Sequence, residues 1–161
     1  MNKRSLKSIK LSDYEPYPFF IPTINIDFNI GKDKVLVETI MSVQPKSDEN
    51  TYLVLEGSDI KLESIFINGK ALEDKEYDLS GGRLIISELP FSAFKLKIIS
   101  IINPFDNTSL EGLYLSSGML TTQCEAEGFR RICFHPDRPD ILSKYSVRIE
   151  AEYSKYPVLL S

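Results

Sequence analysis

The acidic residues Glu125 and Glu127 are the first candidates for chemistry in this sequence, because they lie two residues apart. Alternate side chains of a regular strand point to the same face. On such a strand the two carboxylates would share a face and could bind a cation or an ammonium group. Two solvated acids near a strand end are the simpler interpretation of these residues taken alone, so both interpretations stay open at this point.

Histidine chemistry is restricted, since His135 is the one histidine among 161 residues. A catalytic zinc ion usually takes three protein ligands, mostly His with Asp or Glu, and the sequence has no HExxH pair. A Ser-His-Asp triad would have to use the same histidine. We therefore expect no catalytic zinc site built on histidine, and we expect His135 to be a loop or surface residue.

Composition and charge exclude several other classes of protein. The chain is 42% apolar and 26% charged, which is ordinary for a globular domain. Its net charge of −4 gives no basic footprint for nucleic acid. No Gly-rich phosphate-binding loop is present. Cys124 and Cys133 are nine residues apart and match no common zinc or CxxC motif, so we expect two free thiols in a reducing cytosol.

No segment predicts export or membrane insertion. The basic residues at the start of the sequence are not followed by the apolar segment of a signal peptide. The longest apolar cluster, Ile98–Ile102, is far shorter than the ~20 residues that cross a bilayer. We expect a soluble, cytoplasmic protein with no membrane partner.

The dominant hydrophobic period is two, which indicates strands with one buried face. Hairpins are predicted at three turn signals, which are Gly31–Lys34, Asn68-Gly69 and Ser80–Gly82. A further alternating strand covers Tyr145–Tyr153. Helical signals are weak and predict single turns at 125–131 and 139–142. The first twenty residues, rich in proline, are expected to form an extended arm.

These patterns predict an all-β, mainly antiparallel fold, either a β-sandwich or an open saddle-like sheet with one or two short helical turns. We expect residues 1–161 to form a single β-rich domain. The apolar ending, Tyr156–Ser161, contrasts with the polar segments that usually close a domain. It suggests that the native polypeptide continues beyond this chain.

The segment TQCEAEGFRR at 122–131 closely resembles the aminopeptidase N family of zinc metallopeptidases. Seven further segments carry the resemblance across most of the chain: Asp13-Tyr14, Phe20-Ile21, Ile26–Phe28, Leu110–Tyr114, Ser116–Gly118, Asp137–Asp140 and Lys155–Ser161. The match corresponds to the amino-terminal domain of a family member. The resemblance implies a β-rich domain that packs against a thermolysin-like catalytic domain on the same polypeptide. That second domain, which would carry the HExxH zinc site, is absent from this chain, so the resemblance implies no catalytic residue, no metal ligand and no bound cofactor in residues 1–161.

The resemblance also implies roles for individual residues. Glu125 would hold the free α-ammonium group of a peptide substrate, and Gln123 would line the same pocket. Cys124 alternates with both and is expected to pack inward, whereas Glu127 is expected to be structural. Arg138 and Asp140 belong to a matched segment and could brace a turn.

Two hypotheses follow for the function. The first is an excised substrate-anchoring domain of an aminopeptidase that releases amino-terminal residues from peptides. In the full enzyme, zinc would polarise the scissile carbonyl and activate water, and the isolated chain would be inactive. The second is a free-standing β-sandwich module that binds or interacts without catalysis.

Overall fold

The computed structural model describes residues 10–47 and 52–160, which form mainly strands. The strands are β1 (Phe19–Ile30), β2 (Val35–Pro45), β3 (Leu53–Glu56), β4 (Lys61–Ile67), β5 (Lys70–Ala71), β6 (Tyr77–Ser80), β7 (Arg83–Ile86), β8 (Phe94–Ile102), β9 (Gly112–Ser116), β10 (Met119–Gln123) and β11 (Lys144–Ala151). Single 3₁₀ turns lie at Leu11–Asp13, Asp74–Glu76 and Phe129–Arg131. In these ranges no helix has the length and apolar character needed to cross a membrane.

A six-stranded sheet organises the molecule in the order β11-β1-β2-β8-β4-β5. Its neighbours are antiparallel except for β1 and β11, which run parallel. The predicted first hairpin is confirmed, because the turn after Ile30 returns the chain so that Ile30 pairs with Val35. The late alternating strand is confirmed as β11.

The other two predicted hairpins are also present, and their turns have the required backbone conformation. Asn68 and Gly69 have φ values of 50° and 84° between β4 and β5. Gly81 and Gly82 have φ values of 59° and 79° between β6 and β7. Positive φ at both central residues matches the twist of paired strands. The β6–β7 hairpin belongs to a three-stranded sheet in the order β3-β7-β6. Strands β9 and β10 form a separate pair.

One hydrophobic core joins the six-stranded and three-stranded sheets. It is built from alternate residues of their strands, including Val35, Val37, Met41 and Val43 of β2, Leu96 and Ile98 of β8, Leu53 and Leu55 of β3, and Leu84 and Ile86 of β7. In β1 the buried positions change from Phe19 and Ile21 to Ile24 and Ile26, across an irregularity in the register. This shift keeps apolar side chains on the core side. The all-β, mainly antiparallel fold class is confirmed.

The described part of the N-terminal arm is extended from Tyr14 into β1. Hydrogen bonds to Arg138 and Asp140 hold it against the rest of the domain. The Arg138 guanidinium makes two bonds to Asp140 at 2.8 and 2.9 Å and donates a third to the Glu15 carbonyl. Tyr14 donates its hydroxyl to Asp140. Bonding to Arg138 lowers the pKa of Asp140 to about 2. Arg138 and Asp140 therefore brace a turn, and the helical turn predicted at 139–142 is wrong. Residues 1–9 of the predicted arm lie outside the described residues.

The face of β11 is less buried than its alternation predicts. Tyr145 and Val147 are both 41% exposed. The reason is that β11 is the edge strand of the sheet and borders an open apolar cavity of about 450 Å³. This cavity lies between β1, β11, the β9–β10 hairpin and residues 155–160.

A close contact fixes the segment that follows the 129–131 turn. The ring of Phe134, which is 1% exposed, lies against Gly57, where an added Cβ would be 2.4 Å from Cε1. Glu56 and His135 exchange backbone hydrogen bonds of 2.8 and 3.0 Å beside this contact. Gly57 is therefore needed for the close approach of residues 132–135 to the end of β3.

We expect Gly57→Ala to destabilise the chain by roughly 1–3 kcal/mol, because the added methyl group overlaps a buried ring. Urea unfolding measures the change. Combining it with Phe134→Leu, which shortens the obstructing side chain, should lower the cost of Gly57→Ala. An equal cost in both backgrounds would contradict the proposed overlap.

Candidate functional site

The segment from Gln123 to Asp137 connects the β9–β10 hairpin to the core. β10 ends at Gln123, which pairs with Gly112 of β9. Gly112 has φ 70°, and a Cβ there would be 2.6 Å from Cβ of Arg131. Arg131 therefore packs closely against Gly112. Its Nε donates to the Glu111 carboxylate at 3.1 Å, and its guanidinium also bonds to the Asp59 carboxylate. The turn after β10 is thus packed against the base of the hairpin that precedes it.

Gln123 and Glu125, the two predicted substrate-binding residues, lie together at the start of this segment and are exposed. Nε2 of Gln123 donates to the Glu125 carbonyl at 3.1 Å. The Glu125–Ala126 peptide bond is cis. Within the described part of the chain, the Glu125 carboxylate has no hydrogen-bond or ion-pair partner. A carboxylate fixed at its backbone and unpaired at its oxygens can accept bonds from a cation.

Glu127 does not share a strand face with Glu125, so the interpretation of the two carboxylates as a pair on one face of a strand is wrong. The β10 ladder stops before either residue, and the chain turns with φ 65° at Glu127. The amide of Gly128 closes the turn by donating to the Cys124 carbonyl at 2.9 Å. A Cβ on Gly128 would lie 2.9 Å from both Cα of Cys124 and the Gln123 carbonyl oxygen. The carboxylate of Glu127 points instead toward Arg130, at 3.4 Å.

The two cysteines serve packing. Cys124 is half-buried and lies against the hydrophobic core, as its alternation with Gln123 and Glu125 predicts. Cys133 is buried. Burial raises the pKa of the Cys124 thiol and raises that of Cys133 to about 12. Because the thiolate is the reactive form, neither side chain is an activated nucleophile.

Arg130 and Asp137 form the least exposed ion pair of the segment. The Arg130 Nε donates to Oδ2 of Asp137 at 2.6 Å, and the Arg130 backbone amide donates to the same oxygen at 3.2 Å. The Asp137 side chain is 9% exposed, whereas that of Glu127 is 68% exposed. An exposed pair contributes little, so the contact with Asp137 dominates the environment of Arg130.

His135 lies in a loop outside the strands, which is one of the two predicted placements, but it is buried at 4% exposure and is not on the surface. Both of its ring nitrogens are engaged, since Nδ1 accepts the Asp137 amide at 2.8 Å and Nε2 lies 2.9 Å from the Tyr145 hydroxyl. The ring of Phe129 covers it, with centroids 4.8 Å apart. Burial lowers the pKa of His135 to about 4. The neutral ring joins this segment to β11.

The residues present do not fit a zinc site. Across 10–47 and 52–160, no three His, Cys, Asp or Glu side chains come together in an arrangement that could hold a metal ion. Both nitrogens of His135 already have partners in the protein.

Sequence reasoning missed Arg130, Asp137, Gly128 and Tyr145 as determinants of this site. The spacing of Glu127 and Arg130 could have suggested a local pair. No sequence signal places Asp137 on Arg130 or Tyr145 on His135, because both contacts depend on how the segment folds back on itself.

Comparison with known proteins gives consistent matches. The family model described as the Peptidase M1 N-terminal domain matches residues 14–161. Aminopeptidase N of Caulobacter vibrioides is 46% identical over 155 residues, which are 96% of this chain and 18% of that protein. The crystal structure of Legionella pneumophila aminopeptidase A in complex with aspartic acid superimposes with a TM-score of 0.87 at 34% identity, covering 94% of this chain and 18% of that one.

A more distant structure shares the fold. The M1 zinc metallopeptidase of Deinococcus radiodurans matches with a TM-score of 0.68 at 13% identity, over 82% of this chain and 32% of that one. The chain therefore spans less than a third of each of these proteins.

The buried, neutral state of His135 leads to a pH prediction. Its folded pKa of about 4 lies below the ordinary 6.5, so between these values the unfolded chain binds more protons than the folded one. Stability attributable to His135 should be complete above pH 6.5, fall as the pH drops toward 4 and level off below it.

Proton NMR tests this directly, because the single imidazole gives unambiguous signals. We expect a titration midpoint near pH 4 in the folded chain. A midpoint near 6.5 would contradict the buried His135–Tyr145 arrangement.

Proposed function

Because the chain belongs to the Peptidase M1 N-terminal domain family, we propose that it is the amino-terminal domain of a zinc-dependent aminopeptidase and anchors the amino terminus of peptide substrates. The observation that carries this proposal is the exposed Glu125 carboxylate, which is unpaired within the described residues. Its position in a turn fixed on both sides supports a role in binding a cation from outside this chain.

The chemistry of an α-ammonium group suits Gln123 and Glu125 together. An ammonium group has three donors and no acceptor. The Glu125 carboxylate would accept one charge-assisted bond, which is stronger than a neutral one. Because Nε2 of Gln123 is held by the Glu125 carbonyl, the Gln123 amide oxygen would accept a second.

Such an anchor would explain release of single residues from the amino terminus. A fixed carboxylate sets the distance from the free amine to the peptide bond that is cleaved, so only the first bond would reach the reactive groups. A blocked amine would leave the desolvated carboxylate unpaired, at a cost of roughly 1–3 kcal/mol.

The hydrolytic machinery would be outside this chain. The described residues do not fit a zinc site, and the match covers 18% of the Caulobacter relative. We propose that 1–161 is one domain, inactive alone, and that a catalytic domain on the same polypeptide holds the zinc. A cytoplasmic location is part of this proposal.

Glu125→Gln or Glu125→Ala in the intact polypeptide should lower kcat/KM for free-amine peptides by about tenfold or more, since a charged hydrogen bond contributes ~1.5–3 kcal/mol. Steady-state kinetics on amino-acid p-nitroanilides measures the loss. The inhibition constants of an amino-acid amide and of its desamino counterpart should converge in the variant, because only the amide has the amine that Glu125 binds.

Glu127→Gln is the matched control. It removes the same charge two residues away, from a side chain whose ion pair is exposed, and should leave both inhibition constants unchanged. Unchanged kinetics for Glu125→Gln would refute the anchoring role.

The free-standing binding module is the competing function, and the size of the native polypeptide distinguishes the two. We expect a denaturing gel and immunoblot of cell extract to show a band several-fold larger than this chain, with an HExxH motif downstream in the reading frame. A band of the size of this chain would leave no room for a catalytic domain and would favour the binding module.

A further inference from the structure

The position of Glu125 depends on few local contacts. Its turn lies beyond the last β10 pair, and two hydrogen bonds hold the turn from within, the Gly128–Cys124 bond and the bond from Gln123 to the Glu125 carbonyl. The near end of the turn is held by the β10 ladder, which ends at Gln123, and by Cys124, which packs against the core. The direction of the Glu125 side chain therefore depends also on what fixes the far end of the turn.

At that end Phe129 packs against the core and the His135 ring, and Arg130 adds a restraint on the main chain through Asp137. Because the backbone amide and Nε of Arg130 donate to one carboxylate oxygen, the contact restrains the main chain as well as the side chain. The carboxylate is 9% exposed, so the bond is largely removed from competing water. The Arg130 carbonyl also accepts the Ser58 amide at 2.8 Å.

Asp137 is in turn connected to the core. Its amide donates to Nδ1 of the buried His135 at 2.8 Å, and His135 exchanges two backbone hydrogen bonds with Glu56 at the end of β3. A continuous series of hydrogen bonds thus runs from β3 through His135 and Asp137 to Arg130.

We propose that Asp137 and Arg130 are positioning residues for the substrate-binding carboxylate of Glu125. This inference rests on the proposed anchoring function. Neither residue needs to touch substrate, because the pair acts by fixing the end of the turn that carries Glu125. Loss of the pair would let the Glu125 oxygens move relative to the cleaved bond.

The test uses Asp137→Ala in the intact aminopeptidase polypeptide. Since small displacements of a positioned group can reduce rates severely, kcat/KM for amino-acid p-nitroanilides should fall by about tenfold. Inhibition by an amino-acid amide should weaken, whereas inhibition by its desamino counterpart should not. Asp137→Asn should recover most of the activity, because its amide oxygen can accept both Arg130 bonds.

Asp140→Ala is the matched control. It also removes an aspartate from an arginine ion pair on the same loop, but Arg138 and Asp140 clamp the N-terminal arm and do not contact residues 123–128. It should leave the amide and desamino inhibition constants unchanged. An equal effect of both variants would assign Asp137 a merely structural role and overturn the proposal.

A double-variant cycle separates this proposal from the one it rests on. If Asp137 acts through Glu125, adding Asp137→Ala to Glu125→Gln should cause little further loss. The same loss in both backgrounds would refute positioning while leaving anchoring intact. If Glu125→Gln alone has no effect, the anchoring function itself fails. Should Asp137→Ala melt far below the parent, Arg130→Lys, which cannot reproduce the Nε geometry, takes its place with the same expected outcomes.

Discussion

The arrangement of the site depends on the contact between the Asp137 carboxylate and Arg130. A turn outside a β ladder has no neighbouring strand to satisfy its backbone groups, and a carboxylate that is largely removed from water requires partners. Asp137 meets both demands, because it binds the amide and side chain of Arg130. Nδ1 of the neutral His135 ring accepts a hydrogen bond from the Asp137 amide. The exposed start of the Gln123–Asp137 segment, which carries Glu125, is thus held by contacts at its less exposed far end.

The two sheets supply the rigid support for this network. The three-stranded sheet places Glu56 and Gly57 where residues 132–135 can approach closely, and Phe134 covers that contact. The six-stranded sheet places Tyr145 of β11 within reach of His135. The described part of the N-terminal arm is attached to the other end of the same loop through Arg138. One irregular segment therefore connects both sheets, the arm and the β9–β10 hairpin.

Local signals in the sequence were sufficient for much of the fold. Asn68-Gly69 and Gly81-Gly82 specify their turns through backbone preference, and alternation predicts β1, β2 and β11. The TQCEAEGFRR segment correctly identified the family. The sequence did not reveal the burial of His135, the ion pair of Arg130 or the parallel partner of β1, because these depend on contacts between distant residues. The substrate-binding roles of Gln123 and Glu125 stay predictions.

The parallel pairing of β1 with β11 has a consequence for biosynthesis. β1 is made early and β11 late, and they are neighbours in the finished sheet. Contacts between residues far apart in sequence form slowly, since a long loop must close before they stabilise the chain. On the ribosome, β1 would present an unpaired edge until β11 has emerged, and unpaired edges favour aggregation. During this interval the nascent chain is exposed to misassembly through the edge of β1, and a chaperone that shields strand edges would protect it.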